Sequence, residues 1–438
     1  MKKTFTLFLI AACASFMAQA QYTTAGDGST VTLTSLSQIP ESGVTRVGDH
    51  TFEQAVTVTI AAGDHFQLED SVTLRMAQDV QLIIEGTANF EVAHYATLTK
   101  RDAKAPSNVF HATDAAVTPF KNVTFEYTGI KVYASAGITV DGCTFRRHDG
   151  STAHGSGAIS LGGSASVSVT GSTFEYCQLS AIAGAANNAN PLTIENCLFY
   201  KNGQAGRNYP QVNVTAASSV VIRNNVVVGD RNKRNVGGII VSNLMGAARD
   251  AVTLIEGNTV RDARYGIALY SAQRATVLNN TLIDNNVETN SNNGGSGINV
   301  YDPAGAQETM ITGNYIKGSL WGITVVGGKT VNAGKLDDPE AADYNPGRNI
   351  FVDNGNNGTP YDLYNNSANT VYAQGNLWSV SEQAPELIAT VITDKADNSS
   401  LGEVLYWHGV LPLEGDVDHN GVVNGSDVTA LYNILLLE

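Results

Sequence analysis

The sequence predicts an all-β solenoid of short stacked strands, followed at the C-terminus by a metal-binding loop. Three observations carry that prediction: a strand-and-turn motif that recurs along most of the chain, a composition rich in turn formers, and an oxygen-rich loop close to the end. Of 438 residues, 43% are hydrophobic, only 15% are charged, and 43 are glycines spread along the whole length. Such a chain suits many turns rather than long helices. The formal charge of −15, with 41 acidic against 26 basic residues, argues against nucleic acid as a partner, because phosphate neutralisation needs clustered Lys and Arg. It says nothing of substrate, since surface carboxylates also serve solubility.

The recurring pattern is apolar-x-apolar-x, a small residue or Asn, then Asn or Cys, x, apolar. It begins with Ile138-Thr-Val-Asp-Gly-Cys-Thr-Phe145, Val167-Ser-Val-Thr-Gly-Ser-Thr-Phe174, Leu192-Thr-Ile-Glu-Asn-Cys-Leu-Phe199 and Val220-Val-Ile-Arg-Asn-Asn-Val-Val227. It continues with Thr253-Leu-Ile-Glu-Gly-Asn-Thr-Val260, Ala275-Thr-Val-Leu-Asn-Asn-Thr-Leu282, Thr309-Met-Ile-Thr-Gly-Asn-Tyr-Ile316 and Val371-Tyr-Ala-Gln-Gly-Asn-Leu-Trp378. Alternation at period two with β-branched residues is a strand signal. The Gly/Asn pair ends the strand in a sharp turn, because these residues tolerate left-handed backbone. From Cys143 to Asn314 the sixth position recurs at 29, 25, 28, 33, 22 and 34 residues. A fixed motif at irregular spacing means one solenoid turn per repeat with loops of variable length.

A second strand column lies between the motifs, at residues 157–161, 238–241, 266–269, 297–300 and 322–325. Earlier apolar or alternating runs at 55–60, 72–76, 80–84 and 120–125 read as N-terminal coils. Units this short bury a core only by stacking. Asn side chains pointing inward at one turn then form a hydrogen-bonded ladder along the stack. Cys143 and Cys197 share that column two coils apart, near ~10 Å at ~4.8 Å per coil, beyond the ~7 Å limit for a disulfide. Cys177 lies outside it. The three thiols are expected to be unpaired and buried.

These motifs resemble the right-handed parallel β-helix repeat of exported bacterial polysaccharide-active proteins, over roughly residues 50–378. The resemblance implies a polysaccharide or surface glycan as ligand. Residues 1–20 read as a signal peptide: Lys2 and Lys3, an uncharged apolar run, then Ala18-Gln19-Ala20 as a cleavage site. The protein is therefore expected to be secreted or on the outer cell surface. Ile10-Ala11-Ala12-Cys13 also fits a lipoprotein signal, with a lipid anchor at Cys13 as the alternative. No later run approaches the ~18 apolar residues of a membrane span. The body is read as residues 21–378, followed by a cap or linker at 379–412 and a small module at 413–438.

In that last module, Asp416, Asp418, Asn420, Asn424 and Asp427 fall at loop positions 1, 3, 5, 9 and 12, with Gly421 at 6 and the Val422 carbonyl at 7. This is the spacing of a calcium loop. The loop and the apolar run after it resemble one type I dockerin repeat. That resemblance implies calcium as cofactor and a cohesin-like protein as possible partner. A complete dockerin has two such repeats in tandem, and one is present here.

Catalytic candidates fall just after the motif, where residues of successive coils stand ~5 Å apart. That position carries Arg146-Arg147-His148-Asp149, Glu175-Tyr176, Tyr200-Lys201, Asp230-Arg231, Arg261-Asp262-Ala263-Arg264 and Asp284-Asn285. Asp262 and Asp284 are equivalent on consecutive coils, with Asp230 offset by one. Together with Arg264 they form a candidate acid, base and charge-neutralising set for a polysaccharide lyase or glycoside hydrolase. The bland alternative is polar turn residues facing water. Of the polygalacturonase-like motifs only an Asp-Asp is present, at Asp337-Asp338 outside the repeat, and the paired Pro-Arg of pectate lyases is missing. Tyr265, Tyr270, Tyr301 and Trp321 offer faces for sugar rings, though solitary aromatics more often pack. Two functions stay open on the sequence: binding or processing of polysaccharide, and a non-catalytic surface adhesin or structural antigen.

Overall fold

A computed structural model describes residues 21–150, 156–184, 189–216, 218–243, 251–272, 274–408, 415, 417, 423 and 425–435. The expected signal peptide, the Cys13 alternative, and Asp416, Asp418, Asn420, Val422 and Asn424 lie outside these residues.

Three strand columns wind round one elongated core. The first, called sheet 1 here, holds fourteen strands among the described residues and runs from Gln21–Thr23 to Ile392–Thr393. The other two columns flank the motif turn, for example Val252–Glu256 before it and Thr259–Arg261 after it. Neighbouring coils pair parallel and in register, so like residues stack: Phe125 on Phe145, Phe145 on Phe174, Phe174 on Phe199. Their rings lie 4.8, 4.7 and 5.0 Å apart and within 9° of parallel. All four rings are fully buried. Each such ring contributes about 3 kcal/mol or more relative to a small residue.

The Asn ladder forms as expected. The backbone N–H and Nδ2 of Asn225 both donate to Asn258 Oδ1, and Asn258 repeats this to Asn280, Asn280 to Asn314, Asn314 to Asn349, Asn349 to Asn376. Each amide also donates to an interior backbone carbonyl, such as Asn280 Nδ2 to Ile255 O. A buried amide side chain so satisfied carries little desolvation penalty. Asn349 belongs to a coil that the motif pattern does not pick out, with strands Thr330–Asn332 and Ile350–Val352. Its charged loop Lys335–Asn345 separates the halves of the motif too widely for a sequence match.

A second inward ladder, unmarked by the motif, sits at the next corner. Asn202, Asn285 and Asn354 are buried there, accepting from the N–H of Cys177, Ala263 and Ser319. The three cysteines are unpaired and buried, as expected. Burial pushes their thiols up, to about 12 for Cys143 and Cys177 and about 11 for Cys197. They behave as small apolar side chains rather than nucleophiles.

The ends of the core are covered. At the N-terminus, the helix Leu33–Leu36, capped by Thr32, buries Leu33 and Leu36. Beside it Val44–Gly48 and Thr51–Gln54 pair antiparallel. At the other end the solenoid runs past residue 378. Ile392–Thr393 joins sheet 1, and Val404–Leu405 pairs with Val371–Tyr372. Most of the expected cap thus forms one more coil, with Ile388 of the short helix Pro385–Ile388 packed into the core. Among the described residues no helix is long and apolar enough to cross a membrane.

Candidate functional site

Two surfaces bear on function: the corner after the motif, where carboxylates were expected, and the outer face of sheet 1.

At the corner, register places Asp262 and Asp284 one coil apart, because Arg261 pairs with Ile283 and the Asp262 N–H donates to Ile283 O. Both take left-handed backbone, at φ 57° and 52°. The equivalent residue one coil earlier is Gly229, so Asp230 is offset. A Cβ at Gly229 would stand 1.9 Å from Asp262 O, which demands glycine there. The Asp262 carboxylate is clamped by Arg231 at 2.9 Å and Arg261 at 3.1 Å. Arg231 also bonds Asn286 Oδ1 and reaches Asp284 O. Asp230 accepts from Gln204 and Asn232. These contacts and its nearby Lys201 hold its carboxyl below the usual range against the cost of partial burial.

Arg264 does not join this group. Its guanidinium donates to the Asn293 carbonyl and, at 3.1 Å, to Asn208 Oδ1. It thereby stands on the wall of a groove of about 720 Å³ on the outside of sheet 1. The four expected residues are thus split between two surfaces. The corner turn between Asp262 and Arg264 buries Ala263 and sends its neighbours to opposite sides.

The groove floor follows from strand alternation: every second side chain of sheet 1 faces outward. One row across the coils reads Asn213, Ile240, Ala268, Asn299, Thr324, Tyr364 and Thr393. At one coil per ~4.8 Å this row is roughly 29 Å long. A parallel row carries Ser242, Tyr270, Tyr301 and Val326. Tyr270 packs on Tyr301 at 5.0 Å. Trp321 lies 5.1 Å from Tyr364 and 4.6 Å from Tyr361. Its Nε1 donates to Ser291 O, which fixes the ring to the loop that walls the groove. Tyr265 is buried against Gly237, where any Cβ would meet its ring at 2.2 Å. Burial raises the phenols of Tyr265 and Tyr270, so both remain hydroxyl donors.

Of the aromatics singled out in the sequence, Tyr265, Tyr270 and Trp321 line this groove, while Tyr361 and Tyr364 were missed. Their signal was weak, because the strand Leu363–Asn365 has only three residues. Among the described lining residues, Arg264 is the one charged side chain; the rest of the polar lining is amide and hydroxyl.

A sequence model described as the right handed beta helix region matches residues 107–282. No curated protein matches the chain. Among solved structures, the periplasmic alginate epimerase AlgG is similar, with a TM-score of 0.50, 12% identity, and 86% of this chain against 84% of that one. A double mutant of the same epimerase gives 0.50 and 11% identity over the same spans. The chain is a right-handed parallel β-helix. At this identity the likeness carries the fold and leaves the chemistry to the residues themselves.

Proposed function

We propose that this is an exported right-handed β-helix protein that holds a polysaccharide along the outer face of sheet 1. The observation that carries the reading is the groove floor, an outward row repeated once per coil that includes Tyr364 and is bordered by Tyr270 and Trp321. One sugar of an extended chain advances by about the height of one coil, so successive rings meet successive rows. Aromatic faces stack on the apolar faces of sugars, and Asn213, Asn299 and Thr324 bond their hydroxyls. The similarity to a protein named as an alginate epimerase supports a polysaccharide as the ligand class. Export rests on the composition of residues 1–20.

Binding, rather than cleavage, is the reading favoured for this groove. Apart from one guanidinium, already engaged by Asn293 and Asn208, the polar part of its lining is amide and hydroxyl. The Asp262 and Asp284 pair, the candidate for processing, stands at the corner with Asp262 committed to two arginines. For the tail, Asp427 supports calcium: it is a buried carboxylate in the first turn of the helix Gly425–Leu435, where the last ligand of such a loop belongs. Asp416, Asp418, Asn420, Asn424 and the Val422 carbonyl would complete the set, and a cohesin-like partner is the docking reading of this module.

The test is retention of the protein on a panel of insoluble and gel-borne polysaccharides, with assays for new reducing ends and for unsaturated uronate. The expected result is retention without cleavage, weakened about tenfold or more by Trp321→Ala or Tyr364→Ala. Cleavage that Asp262→Ala plus Asp284→Ala abolishes would replace binding with catalysis at the corner.

A further inference from the structure

Most coils hold a residue in left-handed conformation at each of two corner turns (Gly229 is an exception), and the chain fills the two corners differently. At the turn before the Asn ladder the occupants are Asn122, Gly142, Gly171, Asn196, Asn224, Gly257, Asn279, Gly313, Arg348 and Gly375, all at φ between 52° and 70°. Apart from Arg348, these are the residues that tolerate this backbone. At the other corner the C-terminal coils also comply, with Asp262, Asp284, Gly318 and Asp353. Four N-terminal coils do not: the same position holds Tyr127, Arg147, Tyr176 and Lys201, at φ 63°, 55°, 54° and 52°. Register makes these positions equivalent, since each N–H donates to the last strand residue of the following coil: Arg146, Glu175, Tyr200 and Val228. Large side chains at left-handed positions cost free energy, and such strain gathers where side-chain chemistry is required.

Three of these four residues line one surface. Tyr127, Arg147 and Tyr176 border a trench of about 850 Å³ together with Lys100 and the exposed Lys104. The Lys100 ammonium sits 3.9 Å over the Tyr127 ring, which holds the cation at the trench wall. Arg147 is exposed, with the Glu126 carboxylate at 3.7 Å; Arg146 holds that carboxylate at closer range, 3.1 Å. Tyr176 presents an exposed ring braced edge-on by Tyr200. Lys201 stands one coil beyond Tyr176, and its carbonyl holds the Gln204 side chain at the trench edge. Asp79, Asp149 and Gln178 also line the trench and are acceptors suited to hydroxyls.

We propose that this trench is a second binding site, separate from the sheet 1 groove, and that it takes a short segment of an acidic saccharide bearing carboxylate or sulfate groups. The cations meet the acidic groups, the two tyrosines take ring faces, and the carboxylates and amides take hydroxyls. A nucleic acid fits less well, because three cations within a chain of net charge −15 would not offset a long phosphate run.

The test uses the full chain, titrated calorimetrically with oligogalacturonate, with a sulfated dextran oligomer, and with a neutral cello-oligosaccharide. Arg147→Asn and Tyr176→Asn are compared with the wild type, singly and together. The site predicts salt-sensitive binding of at least one acidic probe, no binding of the neutral probe in the trench, and a loss of about tenfold or more in the double variant. Because Asn suits the left-handed turn, the same variants are expected to melt about 1–2 °C higher. Relief of strain together with loss of binding separates a ligand site from a structural role. The proposal is overturned if the wild type binds neither acidic probe, if inorganic sulfate or single-stranded DNA binds as well as the saccharide, if the double variant binds as the wild type does, or if its melting temperature falls.

Discussion

The C-terminal coils, from about residue 225 to 376, and the N-terminal coils, from about 107 to 201, share one architecture and differ in how they fill it. In the C-terminal coils the ladder is Asn throughout, every ladder amide is satisfied, and the left-handed corner positions, Arg348 apart, carry residues suited to that backbone. In the N-terminal coils the ladder positions are Cys143, Ser172 and Cys197, and the second corner carries Tyr, Arg and Lys. His111 is also buried there with both ring nitrogens unbonded. Arg348 apart, the left-handed corners of one half follow the rules of local structure, and those of the other depart from them around the trench. Departures from local consistency gather at functional sites, so the contrast assigns stability mainly to one half and recognition partly to the other.

The largest expected effect tests the ladder. Asn280→Ala strands the N–H and Nδ2 of Asn258 and the carbonyl of Ile255, and should cost about 3 kcal/mol in denaturant unfolding. Ser172→Ala in the N-terminal half removes the acceptor of the Cys143 N–H and the donor to Thr170 O and should cost about 1 kcal/mol. Equal losses would erase the distinction between the halves.

Acid should act through the N-terminal half. Burial pushes the His111 imidazole down to about 4 from an ordinary 6.5. The unfolded chain therefore binds this proton first, and stability is full above pH 6.5, falls as pH drops towards 4, and levels off below that. The slope is on the order of 1 kcal/mol per pH unit. Hydrogen exchange should show the strands Val109–His111 and Ile130–Val132 opening first, and His111→Leu should flatten the profile. A profile unchanged by that substitution would remove His111 as the cause.

A smaller effect is expected at the corner carboxylates. Asp262→Ala frees Arg231 and Arg261, both about half exposed, and should cost less than about 1 kcal/mol. It should leave polysaccharide retention intact. Smallest of all, Lys201→Asn should raise stability by a few tenths of a kcal/mol by relaxing its left-handed turn. For the tail, a chelator should alter the melting of the module at residues 413–438 and leave the solenoid transition unmoved.

Much of the solenoid was legible in the sequence because its determinants are local. Leu192-Thr-Ile-Glu195 followed by Asn196-Cys197 already encodes a strand and a turn, and eight such copies set the stack. The coil at Thr330–Asn332 and Ile350–Val352 was hidden because a long charged loop divides its motif.

The site was less legible. Asp262 and Arg264 are two residues apart, yet the buried Ala263 between them turns the chain so that Arg264 faces a different groove.

The sequence by itself determined the all-β stack, the Asn ladder, the unpaired thiols and the equivalence of Asp262 with Asp284, because each depends on residue type at a repeated position. Tertiary structure alone decided which outward rows become a groove floor, which arginines clamp Asp262, and that Tyr127, Arg147 and Tyr176 meet Lys100 in one trench. Those outcomes depend on loops of unequal length that wall one face of the solenoid and leave another open, and a loop's path is set by what it packs against rather than by its own residues.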